Sequence, residues 1–200
     1  MSGKSGRSMM TSLPAVLTAL AALGLLLTAL WRWRENGWGA LVWLAAFVVM
    51  TVIRTPHSMR NRANVVVDAD KDLTEKLLLT AMFLAMMLLP LVHLVTPLFG
   101  FADYALPDWA TAIGAILQIP FLWLFWRSHS DLGRNWSPGL EVREDHGLVT
   151  GGVYARMRNP MYAAIWISAP AQPLLIHNWI GGALVVAAFL AMWVIRRAKG

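Results

Sequence analysis

The sequence predicts an all-α integral membrane protein with about six transmembrane helices. The chain is 58% hydrophobic and only 14% charged, whereas soluble domains average roughly 25% charged residues. Its apolar residues form continuous blocks near the length of a bilayer crossing, and they do not alternate with polar residues. Nearly all Lys and Arg residues lie in alternate connections between these blocks, which is the pattern expected of cytoplasmic segments.

Six apolar blocks define the predicted spans, each near the ~20 residues that a crossing requires. They are Leu13–Leu30, Trp38–Ile53, Leu77–Phe99, Trp109–Trp126, Met161–Ile176 and Trp179–Ile195. Only His177 and Asn178 separate the last two blocks, so we expect a tight antiparallel helical hairpin that packs through small residues. These small residues are Ala163, Ala164, Ser168, Gly181, Gly182, Ala187 and Ala188.

The orientation follows from the basic residues. Of the 17 Lys and Arg residues, only Arg32 and Arg34 lie outside the termini and the polar segments 54–76 and 127–159. We therefore expect an inner or plasma membrane protein whose two termini and two polar segments face the cytoplasm. The net charge of +6 is explained by these segments and by lipid headgroups, so the lipid bilayer is an expected partner and nucleic acid is not. The lack of cysteine excludes disulfides, Cys-bound zinc and a thiol nucleophile.

The longest polar stretch, Arg127–Asn159, has two interpretations that composition leaves open. Loops of this length between helices often carry functional residues, so the segment could cover a site. Its five arginines could instead hold a solvated linker at the headgroups. The other polar segment, Arg54–Lys76, is expected to lie along the cytoplasmic surface.

The end of this stretch predicts a helix that begins at the membrane surface. Asn159 is a preferred N-cap residue and Pro160 suits the first helical position, so the exposed amides of the next helix would form an anion site. If the preceding segment is helical, Tyr154, Arg158 and Tyr162 share one face. The cluster then forms either the floor of a pocket or an anchor for the hairpin at the interface, and the residues favour neither.

Other polar residues give weaker signals. His93 lies within the third apolar block and is expected to be a neutral, hydrogen-bonded residue of the bundle, although a functional role is the alternative. Asp68, Asp70, Asp72 and Glu75 lack the spacing of a calcium loop and are expected to be solvated. No metal site is therefore predicted.

Two motifs establish a family resemblance. "HSDLGRNWS" (His129–Ser137) and "HGLVTGGVYARMRNPMY" (His146–Tyr162), followed by a hydrophobic hairpin, resemble the isoprenylcysteine carboxyl methyltransferase family and its prokaryotic relatives. The resemblance extends over about Leu77–Lys199. We therefore interpret residues 1–200 as a single membrane domain, in which 1–76 form N-terminal helices and a cytoplasmic linker, and 77–200 form a methyltransferase-like core.

The resemblance implies methyl transfer from S-adenosylmethionine to a lipophilic or membrane-proximal small molecule at the cytoplasmic membrane face. It implies a catalytic group and a cofactor-binding group of residues. The catalytic residues would be Arg158, Asn159 and Tyr162, and the cofactor-binding residues would be Leu148, Val149, Gly152, Tyr154 and Pro160. The residue types suit this chemistry because methyl transfer depends mainly on positioning, aromatic faces accept a sulfonium, and arginine binds carboxylates.

The sequence departs from the family pattern at two places. Asn159 stands where the best-known members have histidine, and asparagine cannot titrate near neutral pH. A proton acceptor would then be His129 or His146, both of which we expect to be exposed loop residues. The second departure is at "VIRRAKG", where the family's C-terminal glutamate pair would begin. Either the sequence is part of a longer chain, or the protein is a reduced member with weak or absent cofactor binding. A non-catalytic membrane subunit that binds a membrane-protein partner is therefore the alternative function.

Overall fold

The computed structural model describes residues 20–61, 73–133 and 149–199. Within these ranges the chain is helical and contains no β-strand, only an isolated bridge between Asp103 and Asn178. The all-α prediction is therefore confirmed for the part of the chain that the structure describes.

Eight α-helices, some joined by π-helical or 3₁₀ segments, make up these ranges. They are α1 (Leu20–Trp31), α2 (Trp33–Asn36), α3 (Trp38–Asn61), α4 (Leu73–Phe83), α5 (Leu89–Val95), α6 (Asp108–Leu132), α7 (Pro160–Leu175) and α8 (Leu184–Lys199). The π-helical segments are Leu84–Leu88, between α4 and α5, and Trp179–Ala183, before α8; the 3₁₀ segments are Gly100–Ala102 and Gly152–Ala155.

Three of the described helical stretches are long and apolar enough to cross a membrane. They are Trp38–His57, Lys76–Val95 and Asp108–Leu132, with mean hydropathies of 1.7, 2.3 and 1.5. Leu20–Trp31 and Trp179–Ile195 are apolar but shorter. The membrane character of the chain is supported, and the number of six spans stays a prediction.

Helices α6 and α7 form the most extensive helix–helix contact in the described bundle. A Cβ added to Gly114 of α6 would lie 2.9 Å from Leu174 Cβ and 3.2 Å from the Ala171 carbonyl oxygen of α7, so only glycine permits this approach. Ala163 and Ala164 pack in a cluster with Phe121 and Phe125 of α6. The prediction that these two alanines pack the last two helices together stays a prediction.

Contacts between helix ends show how the elements align. At one end, Trp38 Nε1 of α3 donates a hydrogen bond of 3.3 Å to Asp108 Oδ1 of α6. At the other end, the rings of His57 and His129 on the same two helices are 5.4 Å apart. Helices α3 and α6 thus run parallel, as alternate spans must. We call the end that holds His57, His129 and the N-terminus of α7 the basic end. Arginines of α3, α6 and α8 lie at this end, and Arg158 lies just before α7.

Asn178 organises the opposite end of the bundle. Its Nδ2 donates to the Phe99 carbonyl at 2.6 Å and to Asp103 Oδ1 at 2.7 Å. Its Oδ1 accepts from the amides of Ile180 and Gly181 at 2.9 and 2.7 Å and so caps the start of the last helix. His93 is 6% exposed beside this network, with Nε2 3.7 Å from Asp103 Oδ1.

Two segments predicted to be polar connections are partly helical. Helix α3 continues from Arg54 through Asn61, and α6 continues through Leu132, so the segment 127–159 begins with helix. The side chains of Ser128 and His129 bond to carbonyls of their own helix, Leu124 at 2.6 Å and Phe125 at 2.8 Å. These bonds satisfy polar groups inside the bundle, so the prediction that His129 is an exposed loop residue is wrong.

Candidate functional site

The 3₁₀ turn Gly152–Ala155 is held against the end of α6. The amide of Val153 donates to Asp131 Oδ2 at 2.8 Å. Tyr154 Oη makes a longer bond of 3.3 Å to the Ser128 carbonyl. Because Val153 is also buried in the cluster of α6 and α7, the turn has both polar and apolar attachments to the bundle.

Gly152 is required by this arrangement for two reasons. Its φ is +60°, in the left-handed region that side chains disfavour. A Cβ at this position would also overlap the carboxylate of Asp131. The adjacent Gly151 has a φ of −95° and open space around its Cβ direction. The two glycines of the motif therefore differ, and only the second is constrained.

Tyr154 lies half-buried beneath this turn. Burial, and to a smaller extent the nearby carboxylate of Asp131, raise the pKa of its phenol to about 12. Both effects disfavour the phenolate. Tyr154 is therefore a neutral hydrogen-bond donor at physiological pH and does not serve as a base.

Helix α7 begins at Pro160, as the sequence predicts. Asn159 precedes it with φ −138° and ψ 71°, and its side chain makes no capping bond. The predicted cap is therefore wrong, and the side chain of Asn159 is exposed. The segment before α7 is not a continuous helix either, because the 3₁₀ turn ends at Ala155. Tyr154 and Tyr162 thus do not share a helical face.

A groove of about 370 Å³ opens between the first half of α7 and the last turns of α8. Its lining residues are mostly aromatic, with polar groups at the basic end; they are Asn159, Tyr162, Trp166, Phe189, Met192, Trp193 and Arg197. Trp166 meets Phe189 edge-on at 4.8 Å and Trp193 at 6.2 Å between ring centroids. Arg197 Cζ lies 4.2 Å from the Trp193 ring centroid, a cation–π contact.

The structure brings only some of the predicted site residues together. Asn159 and Tyr162 line the groove, on the side of α7 that faces α8. Tyr154 and Gly152 lie on the side of α7 that faces α6. Pro160 is buried between these two sides, at the start of the helix.

The remaining predicted residues are more loosely placed. Arg158 is exposed, does not line the groove, and makes no hydrogen bond or ion pair with another described residue. Val149 is half-buried at the start of the described segment. Leu148 and His146 lie outside the described residues. Among the residues that the structure describes, no group of three or more His, Cys, Asp or Glu side chains could hold a metal ion.

Sequence reasoning missed two sets of residues here. Phe189, Trp193 and Arg197 are spaced four residues apart and line one face of α8, a periodicity that could have indicated a shared surface. Asp131 gave no such signal, because its partner Val153 lies 22 positions away in the sequence. Only the fold brings these two together.

A comparison with known protein families finds a match in this part of the chain. Residues 114–199 match the model of the isoprenylcysteine carboxyl methyltransferase (ICMT) family. This segment of the chain is therefore similar to the ICMT family. The search of curated proteins found no match. The matched segment includes most of α6, the Gly152–Ala155 turn, the groove and both helices that form it, and it supports a methyltransferase of the membrane. It begins at residue 114, so it covers less of the chain than the expected Leu77–Lys199.

Proposed function

We propose that the chain transfers a methyl group from S-adenosylmethionine to a lipophilic acceptor at the cytoplasmic face of the membrane. The observation that carries this proposal is the arrangement at the start of α7. The fixed turn Gly152–Ala155 lies on one side of that start and the aromatic groove lies on the other. Asn159 lies at the groove and belongs to the short connection between the turn and α7, so donor and acceptor sites here would be neighbours.

The cofactor fits the turn side of this arrangement. Thr150, Gly151 and Gly152 are exposed while Val153 is buried, so the backbone of the segment is anchored and its outer face is open to a ligand. Val149, Gly152 and Tyr154 would hold the cofactor, together with Leu148 and Pro160, which the resemblance implies. When bound, S-adenosylmethionine would supply an activated methyl group on a positively charged sulfur.

The acceptor fits the groove. Its aromatic lining suits an apolar tail, and its volume is within the range of small-molecule sites. Arg197 and Asn159 lie among the lining residues and offer hydrogen-bond donors to a carboxylate or another polar head. The groove is formed by helices whose outer surfaces are apolar, so an acceptor could enter from the lipid.

The reaction requires positioning and little acid–base chemistry. The residues of the site would hold the acceptor's lone pair in line with the activated methyl group and keep water away from it. Arg158 is exposed and has donors available for a carboxylate of either ligand. Tyr162 and Asn159 line the groove and would orient the acceptor. Tyr154 remains a neutral donor because its pKa is raised to about 12.

The test is methyl transfer by the purified full-length chain in lipid nanodiscs. Tritium-labelled S-adenosylmethionine is offered with N-acetyl-S-farnesylcysteine, dodecanoic acid, dodecanethiol or dodecylamine, which present different acceptor groups on apolar tails. We expect label in at least one organic product, and a loss of at least tenfold in rate with Tyr162→Ala. Binding of S-adenosylhomocysteine is measured in parallel by calorimetry.

The alternative is a membrane subunit without catalysis that binds another membrane protein. The observation that favours this alternative is that Arg158 is exposed and forms no hydrogen bond or ion pair with another described residue. A full-length chain that is folded yet binds neither S-adenosylmethionine nor S-adenosylhomocysteine would contradict the methyltransferase proposal and support this alternative.

A further inference from the structure

The carboxylate of Asp131 is largely buried and bonded on both oxygens, although most carboxylates at helix ends are exposed to solvent. It lies on the last turn of α6, where its Oδ1 pairs with Arg127 Nη2 at 2.9 Å. Its side chain is 12% exposed, so the carboxylate is largely removed from solvent. Its other oxygen, Oδ2, accepts the amide hydrogen of Val153 at 2.8 Å. One carboxylate thus joins a helix cation to the backbone of a distant turn.

The same carboxylate determines the shape of that turn. Gly152 passes so close to it that any side chain would overlap. The positive φ of Gly152 directs the next amide, that of Val153, to Asp131 Oδ2. Tyr154 then bonds to the Ser128 carbonyl, one helical turn earlier on α6. The conformation of the turn is therefore set by a polar contact, and apolar packing alone would not select it.

We infer that Asp131 is a positioning residue, which holds the Gly152–Ala155 turn in the conformation that binds S-adenosylmethionine. The inference rests on the proposed function. Asp131 does not itself touch the ligand; it acts through the amide of Val153 and the close contact with Gly152. Arg127 serves it by fixing the orientation of the carboxylate, because a paired oxygen leaves the other oxygen aimed at the turn.

Two Asp131 variants separate the hydrogen bond from the charge. Asp131→Ala removes the acceptor for Val153, and we expect the affinity for S-adenosylhomocysteine to fall tenfold or more. Asp131→Asn keeps an oxygen acceptor of the same shape, and we expect it to recover affinity to within about threefold of wild type. In both variants the alkaline titration of Tyr154 should move to lower pH, since the negative charge beside the phenol is gone.

A pair of glycine variants tests the contact from the other side. Gly152→Ala should also weaken S-adenosylhomocysteine binding tenfold or more, because the added methyl meets the carboxylate. Gly151→Ala is the matched control: its methyl meets no atom within 4 Å, and the titration of Tyr154 should not change. In the double variant Asp131→Ala/Gly152→Ala, the two losses should be less than additive, because each change disrupts the same contact.

The outcomes distinguish this inference from the function on which it rests. If wild-type protein binds S-adenosylhomocysteine and both Asp131→Ala and Gly152→Ala retain its affinity, the inference is overturned and the proposed function stands. If Asp131→Asn binds as weakly as Asp131→Ala, the hydrogen bond to Val153 is not the cause and the inference is likewise overturned. If folded wild-type protein binds no S-adenosylhomocysteine, the proposed function fails and the role of Asp131 fails with it.

Discussion

The side-chain amide of Gln172 donates a hydrogen bond of 2.9 Å to the carbonyl of Ala85, 87 positions earlier in the sequence. This carbonyl lies in the π-helical segment, where Leu89 donates to Leu84. In that pattern Ala85 would pair with residue 90, which is proline and has no amide hydrogen. Gln172 supplies the missing donor and also bonds to the Gly181 carbonyl at 3.0 Å, so it links three parts of the bundle.

Gln172→Met should therefore destabilise the protein by about 1–3 kcal/mol, because two buried carbonyls lose a donor. The unfolding of the detergent-solubilised protein by denaturant measures this. Gln118→Met is the matched control, since Gln118 is also buried but makes no side-chain hydrogen bond to another described residue. Equal effects of the two changes would contradict the role of Gln172.

Two of the three tyrosines should ionise unusually late. Burial raises the pKa of Tyr104 to about 12, and burial with the Asp131 carboxylate raises that of Tyr154 to about 12. The folded state holds these protons more tightly than the unfolded state, whose pKa is near 10. The contribution of these two phenols to the free energy of unfolding is therefore fully present below about pH 10 and is lost as the pH rises through about 12.

Spectrophotometric titration of tyrosinate checks this, with Tyr104→Phe and Tyr154→Phe used to assign the late transitions. Each substitution should remove one late-titrating group. Titration of all three tyrosines near pH 10 in the folded protein would contradict the described burial.

Arg158→Ala should weaken the binding of S-adenosylmethionine or S-adenosylhomocysteine by more than about 1 kcal/mol, the loss typical of a charge-assisted bond. Calorimetry on the full-length chain measures the change. Arg156→Ala is the control, because Arg156 is also exposed in the same connection but lies outside the predicted site. If both variants bind as wild type does, Arg158 is only an interfacial anchor.

Trp193→Ala should raise the KM for a lipophilic acceptor about tenfold or more, because it removes an aromatic wall of the groove and the contact with Arg197. The KM for S-adenosylmethionine should change little. Trp123 is 54% exposed on α6, away from the groove, so Trp123→Ala controls for the loss of a membrane-facing tryptophan. An unchanged acceptor KM in Trp193→Ala would exclude the groove as the acceptor site.

The basic end of the bundle should face the cytoplasm. Because the chain contains no cysteine, single cysteines introduced at Phe101 and Ser130 report on opposite ends without background. Both positions are exposed. In intact cells an impermeant maleimide should label Phe101→Cys and spare Ser130→Cys. Labelling of both from the same side would contradict the predicted topology.

Local sequence signals determined much of this protein. Continuous apolar blocks indicated membrane helices, and the pair Asn159–Pro160 gave the first residue of α7. The motif around Tyr154 indicated the family, and the match over residues 114–199 supports that relation. These features depend on composition and on neighbours within a few positions, so a sequence displays them directly.

Tertiary structure decided which surfaces meet. Helix α7 is apolar on nearly every side, so its sequence did not reveal that Ala164 faces α6 while Trp166 faces α8. Asparagine could cap either of two helices, and only the fold shows that Asn178 does so and Asn159 does not. The contact of Asp131 with the Gly152 turn joins residues about twenty positions apart, whose spacing has no helical or strand period. Such long-range polar contacts depend on how the helices pack, and no local pattern encodes them.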